Sequence, residues 1–148
     1  MSEYVIVNGR TEHIESLEKL EQVCFSMPWT RQQLISQLPD DNHLFLVILH
    51  DGQAVGYVGM MYVLDEGYIS NVAVDPQHRR KGLADRLIGE TLSAAEKKEL
   101  AFVTLEVRQS NEPAISLYEK HGFIKVGQRK NYYDLPKEDA ILMTKFLK

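Results

Sequence analysis

The stretch from Val72 to Ala84, VAVDPQHRRKGLA, constrains the fold of this chain more than any other. A run of β-branched residues ends at Asp75-Pro76, where proline cannot extend a ladder. A basic turn follows. Gly82 then leads into Leu83, Leu87 and Ile88, spaced as one apolar face of a helix that runs to about Lys98. A helix N-terminus carries unpaired N–H groups and about half a positive charge. It is therefore a ready site for phosphate. Gly82 lets the backbone approach an anion closely, small Ala84 leaves room in the first turn, and Arg79, Arg80 and Lys81 add positive potential. The stretch is neither the GxxxxGKS/T phosphate loop nor the GxGxxG dinucleotide fingerprint. On residue types alone, a solvated basic turn before an ordinary helix explains it equally well.

The rest of the chain supplies a sheet around this unit. Tyr4 to Val7 reads as a strand, and Thr11 to Cys24 as a helix with Ile14, Leu17, Leu20 and Val23 on one stripe. Thr30 reads as the N-cap of a second helix through Leu38. Leu44 to His50, Ala54 to Leu64 and Tyr68 to Val74 form a meander, with turns at Asp51-Gly52 and Asp65-Glu66-Gly67. Beyond the Leu83 helix come a strand from Ala101 to Val107 and a helix from Glu112 to His121, capped by Asn111 in front and Gly122 behind. Strands from Phe123 to Arg129 and Ala140 to Leu147 close the chain, joined by a loop from Lys130 to Pro136. The expected fold is α/β, in the α+β sense: one mixed, mainly antiparallel sheet of about seven strands flanked by helices.

Composition narrows the function classes. At 148 residues the chain fits a single domain, residues 1–148. No apolar run approaches the roughly 20 residues that span a bilayer, and the N-terminus lacks the apolar core of a signal peptide, so a cytoplasmic protein away from membranes is expected. A net charge of −4 argues against nucleic acid as a direct partner. The five histidines are scattered and the single Cys24 has no partner, so neither a metal nor a disulfide is expected. Cys24 reads as a small buried hydrophobe. A monomer is the default expectation.

Recognition of a family rests on three matches. Arg79-Arg80-Lys81-Gly82-Leu83-Ala84, with Val72-Ala73-Val74 before it, resembles the glycine-containing signature of the GNAT N-acetyltransferases. Thr104 to Phe123, TLEVRQSNEPAISLYEKHGF, resembles the downstream segment of the same family almost position for position. Arg129 to Tyr133 and Glu138 to Ala140 resemble the closing segments of the branch that acetylates the N-terminal alanine of a ribosomal protein.

The resemblance implies a GNAT fold, acetyl-CoA as co-substrate, and a set of roles. Val72, Ala73 and Val74 would hydrogen-bond the pantetheine arm through their backbone, where a bulge helps to splay two parallel strands. Arg79, Arg80, Lys81, Gly82, Leu83, Ala84 and Asp85 would cradle the pyrophosphate. Glu106 would be the general base, directly or through a water, and Tyr118 the general acid that protonates the departing thiolate. Asn111, an N-cap by sequence, would also contact acetyl-CoA. Tyr132 and Tyr133 would bind the acceptor peptide, a ribosomal protein N-terminus. Trp29 and Met27 are expected in the core, with the same groove as the other reading. Cys24 lies too early in the chain to be expected at this site.

Each role has a plainer reading beside it: Glu106 a surface carboxylate at a sheet edge, Tyr118 a core aromatic, Tyr132 and Tyr133 packing at a strand end. The chemistry favours an N-terminal acceptor, because an α-amine has a pKa of about 7.7–8.0 and a lysine amine about 10.4. That difference of roughly 2.5 units is worth about 3.4 kcal/mol at about 1.36 kcal/mol per unit. A backbone N–H at the end of the Ile69 to Val74 strand would stabilise the oxyanion. The alternatives are a GNAT enzyme for small amines or lysine, and a non-catalytic acetyl-CoA sensor.

Overall fold

The computed structural model describes residues 3–148. Its centre is a seven-stranded sheet in the order β1-β2-β3-β4-β5-β7-β6. The strands are β1 (Tyr4–Asn8), β2 (His43–His50), β3 (Gln53–Val63), β4 (Glu66–Val74), β5 (Phe102–Arg108), β6 (Ile124–Tyr133) and β7 (Glu138–Phe146). Pairing is antiparallel throughout except between β4 and β5. The helices are α1 (Ile14–Cys24), α2 (Arg31–Ser36), α3 (Leu83–Lys97) and α4 (Glu112–Lys120).

Period-2 alternation lets the strands serve two cores. Phe45, Val47, Tyr57 and Ala73 point to one face and pack with Ile14, Leu17 and Leu20 of α1 and Leu34 of α2. Leu46, Ile48, Val58 and Met60 point to the other and pack with Leu83, Leu87, Ile88 and Leu92 of α3. Phe45 and Tyr57 are wholly enclosed, and burying side chains of this size contributes about 1.5–3 kcal/mol each. The caps expected at Thr30 and Asn111 are present: Thr30 Oγ1 accepts from Gln33 N–H at 3.2 Å, and Asn111 Oδ1 from Ala114 N–H at 3.3 Å.

Two expectations need correction. The loop expected from Lys130 to Pro136 is shorter, because β6 continues to Tyr133 and only residues 134–137 turn the chain into β7. The ladder of β6 with β7 passes from Arg129↔Ala140 to Tyr133↔Glu138, so extra residues bulge out of β6 between those pairs. Asn131 makes the bulge possible: it adopts φ +52°, a conformation asparagine tolerates, and its N–H donates to Asp139 Oδ1 at 2.9 Å. The turn into β4 is also tighter than expected. Only Leu64 and Asp65 separate β3 from β4, and Leu64 turns the chain at φ +55°.

Candidate active site

Strands β4 and β5 pair at only three positions, Glu66↔Phe102, Gly67↔Val103 and Tyr68↔Thr104, and then part. The cause lies on the other edge of β4. There Gly59 faces Asn71 and Met60 faces Ile69, which leaves Ser70 as an extra residue in β4. Such a bulge bends its strand away from the neighbour. The opening widens into a cleft of about 880 Å³ lined by Ile69 to Val72, Leu105 to Arg108, Asn111 and Tyr118, with Phe25 to Met27, Trp29 and Tyr132 to Pro136 around its mouth.

The backbone of β4 presents hydrogen-bonding groups to this gap. Asp75 N–H turns toward β3 and reaches Val55 C=O at 2.8 Å, so the alternate residues Val72 and Val74 face the other way. Their gap-side groups meet side chains only. Val72 N–H donates to Asn71 Oδ1 at 3.1 Å, and Val74 C=O accepts from Arg79 Nε at 3.3 Å and Cys24 Sγ at 3.5 Å. Cys24 therefore lies at the site, against the expectation from its early position. Helix α1 ends there and delivers it. Burial pushes its thiol pKa up, outweighing the nearby Arg79 guanidinium.

Beyond β4, Asp75 Oδ1 caps Gln77 N–H at 2.9 Å, and the basic loop turns through positive φ at Arg80 (+65°) and Gly82 (+75°). Gly82 is the N-cap of α3 and offers no side-chain acceptor to its first turn. The first N–H accepted there is that of Arg86, by Gly82 C=O at 3.1 Å. A Cβ on Gly82 would meet no other part of the protein within 4 Å, so the fold itself requires glycine here for its φ. Arg79, Arg80 and Lys81 are exposed, whereas the Leu83 side chain is in the core and leaves its backbone to the loop. Asp85 spends its carboxylate on α4, accepting from Lys120 at 3.0 Å and His121 Nε2 at 2.9 Å. Those donors, Lys120 first, hold its pKa below the usual carboxylate range. Val72 lines the large cleft, while Ala73, Val74 and residues 79–85 sit at and beyond the end of β4, outside it.

Glu106 and Tyr118 reach the gap from opposite faces of the sheet. Val103, Leu105 and Val107 of β5 point into the α3 core, so Glu106 points to the other side. Strand β5 lies inside the sheet between β4 and β7, so Glu106 is not at an edge. Its side chain is only 6% exposed. Oε1 accepts the Tyr68 hydroxyl. Oε2 lies 3.0 Å from Arg129 Nε, yet that N–H is not aligned on it and Oε2 has no hydrogen bond. Burial, then the bond to Glu106, drives the Tyr68 pKa upward. Tyr118 belongs to the α3 core and packs on Phe123. Burial pushes its pKa up to about 12.

The mouth is held by two loops from distant parts of the chain. Arg108 stacks on Tyr133 at 4.4 Å and donates to Asp134 C=O at 3.0 Å and Pro136 C=O at 2.8 Å. Ser26 Oγ donates across the mouth to Leu135 C=O at 2.7 Å. Tyr132 and Tyr133 pack edge to face, and both line the cleft. Met27 is exposed at the cleft, so core packing does not hold for it, whereas Trp29 is half-buried, packing on Tyr57 of the core while also lining the cleft. Sequence reading missed Tyr68, Asn71, Arg129 and Glu21. Glu21 is a buried carboxylate that accepts Trp29 N–H at 2.7 Å and the Tyr57 hydroxyl, and Tyr57 in turn accepts Asn71 Nδ2 at 3.0 Å. Burial raises its pKa. A glutamate on the apolar side of α1 was the one available signal.

Among the described residues, no group of three His, Cys, Asp or Glu side chains is placed to hold a metal, and no helix is long and apolar enough to cross a membrane.

Comparison with known proteins places this geometry. The model of the acetyltransferase (GNAT) family matches residues 14–123. The ribosomal protein bS18-alanine N-acetyltransferase of Escherichia coli (strain K12) is 34% identical over 135 residues, covering 90% of this chain and 90% of its own length. A Bacillus subtilis (strain 168) relative is 36% identical over 137 residues, covering 92% and 91%. The crystal structure of the Escherichia coli ribosomal-protein-S18-alanine N-acetyltransferase superposes with a TM-score of 0.92 at 32% identity, covering 99% of this chain and 95% of that one.

Proposed function

The chain belongs to the acetyltransferase (GNAT) family, and from that premise we propose that its acceptor is the N-terminal alanine amine of a ribosomal protein, acetylated by direct attack on acetyl-CoA. It is an N-acetyltransferase whose seven-stranded fold superposes on that of its relative, and the family uses acetyl-CoA. The observation that carries the reading is the parted β4–β5 gap with Glu106 on one face and Tyr118 on the other.

The residues divide the work. Val72 and Val74 line up the pantetheine arm through the groups β4 turns to the gap, while Ala73 between them turns its backbone to β3 and only spaces the two, and Asn111 adds a contact at the start of α4. Residues 79–85, whose first-turn N–H groups lack a side-chain cap, take the pyrophosphate. Only the backbone of Leu83 and Asp85 is free for this, since one side chain is buried and the other bonds α4. Glu106 accepts the proton of the acceptor amine. Val72 N–H, released by Asn71 Oδ1, stabilises the oxyanion. Tyr118, protonated at neutral pH, gives its proton to the departing thiolate. Tyr132 and Tyr133 hold the first residues of the peptide. Alignment of two bound substrates supplies much of the rate, with no covalent intermediate. The whole chain acts as one domain and as a monomer.

Thiol release from acetyl-CoA tests this with two acceptors. One is a peptide beginning with alanine. The other is the same peptide with a blocked N-terminus and a free lysine. Turnover on the first alone is expected. Turnover on the lysine peptide alone would overturn the N-terminal assignment and leave the acetyltransferase intact.

A further inference from the structure

We infer that Arg129 is the resident counter-ion of Glu106, and that a cationic acceptor amine enters by displacing it. Arg129 thereby makes acceptor choice depend on the charge of the amine. The inference rests on the acceptor reading above.

The carboxylate comes first. Glu106 is almost wholly enclosed, and an enclosed carboxylate needs a cation or several donors. Tyr68 satisfies Oε1, and among the described residues Arg129 is the cation paired with Oε2. The pairing is incomplete. The guanidinium approaches through Nε at 3.0 Å, not through its two-pronged end, and no N–H is aimed at Oε2. Bidentate, aligned pairs are the strong ones. This pair has charge proximity without a hydrogen bond.

The cation is also easy to move. The Arg129 side chain is 56% exposed and stands on β6, the edge strand of the sheet. It sits just before the Asn131 bulge, next to the residues proposed to hold the peptide. The Tyr132 ring lies 5.9 Å from its guanidinium and offers a second resting place once Glu106 is taken. Leaving a partly solvated ion pair costs little.

The acceptor brings what Arg129 lacks. An α-ammonium has the same charge, three donors and a compact shape, so it can point an N–H at Oε2. Exchange of one cation for another leaves the buried carboxylate neutralised throughout. Proton transfer to Glu106 then follows inside the complex, with Arg129 already withdrawn. An N-acetylated terminus has no charge and cannot make the exchange, so the product leaves and Arg129 returns.

Calorimetry in the presence of CoA reads the exchange without turnover. Two peptides of one sequence are compared, the first with a free N-terminal alanine and the second N-acetylated. Arg129→Met should raise the preference for the free peptide by about fivefold, the worth of one partly exposed ion pair. Arg129→Lys, which keeps the charge on a compact three-donor head, should bring the preference back to the wild-type value or below it. In a Glu106→Gln background, Arg129→Met should change nothing. An unchanged or reduced preference in Arg129→Met, or an equal gain for both peptides, would overturn the inference. Thiol release with the alanine peptide tests the proposed function separately, and it can fail while the binding preference still shifts.

Discussion

The two halves of the proposed site are built by different means. The proposed donor half comes mostly from one stretch, Asn71 to Asp85, which offers backbone groups on β4 and at the start of α3, with Asn111 at the start of α4 added to it. The acceptor half is made from side chains on separate elements: Tyr68 of β4, Glu106 of β5, Arg129, Tyr132 and Tyr133 of β6, and the loops at Ser26 and Leu135. A site of backbone groups tolerates side-chain changes as long as φ is kept. A site of side chains fails when one atom changes. The sharpest break of the comparison is Glu106→Gln. It keeps the shape and removes the proposed proton acceptor, so kcat should fall by about 10²–10⁴. The KM for acetyl-CoA should stay within about twofold, since the donor half is untouched. Steady-state kinetics with each substrate varied in turn checks both values, and a loss of kcat below about tenfold would place the base elsewhere.

Tyr118→Phe comes next, and it probes where the halves meet. Removing the hydroxyl should lower kcat by about 10²-fold, the low end for general acid catalysis. The pH dependence follows from burial, which favours the neutral phenol and moves its pKa from 10.0 up to about 12. The neutral form is therefore favoured in the folded protein, and that stabilisation is complete below pH 10 and fades as pH rises toward 12. Tyr118 stays protonated across roughly pH 7 to 9, so if it is the acid, the Tyr118→Phe substitution should cost the same factor at both ends of that range. A pH–rate profile in which the two enzymes converge near about pH 9 would remove Tyr118 from the acid role.

The donor half has one side-chain-sensitive point, Gly82. Nothing lies within 4 Å of a Cβ built there, so Gly82→Ala causes no clash. It does place alanine at φ +75°, which costs about 1–2 kcal/mol. With no neighbour to hold it, the loop relieves that strain by turning, and the first N–H groups of α3 lose their aim. The KM for acetyl-CoA should rise about tenfold, the equivalent of about 1.4 kcal/mol, with the peptide KM unchanged. If both constants rose together, the two halves would not be separable in this way.

The same contrast explains what can be read from the sequence. The donor half is legible because its parts are contiguous: a β-branched strand, Asp75-Pro76, a basic turn and Gly82 before an apolar-periodic helix. Period-2 alternation also places Glu106 opposite Leu105 and Val107. What is not legible depends on contacts between remote positions. Tyr68 and Glu106 are 38 residues apart, and Ser26 and Leu135 are 109 apart. Cys24 looks remote from the site by its early position, yet α1 packs across β3 and β4 and ends at Val74. The Lys130 to Pro136 stretch reads as a loop because polar residues and Asn131 break the alternation. In the fold Lys130 to Tyr132 form a bulge, strand pairing resumes at Tyr133, and only the end of the stretch is the turn that the residues suggest.

Ser26→Ala is the gentlest test of the acceptor half. The Ser26 hydroxyl donates to Leu135 C=O at 2.7 Å and ties the loop after α1 to the turn between β6 and β7. The bond is exposed, so its net worth lies near the lower end of about 0.5–1.5 kcal/mol. Water can replace it without leaving a buried polar group. The loss therefore falls on how often the two loops meet over the peptide, and the peptide KM should rise about two- to threefold. Melting should barely change, and the acetyl-CoA KM should not change at all. Ser26→Thr keeps the donor and should restore the wild-type peptide KM if the hydroxyl acts by this bond. An acetyl-CoA KM that moved with the peptide KM in Ser26→Ala would show that the mouth also governs the donor half, and the division between backbone-built and side-chain-built halves would fail at its outer edge.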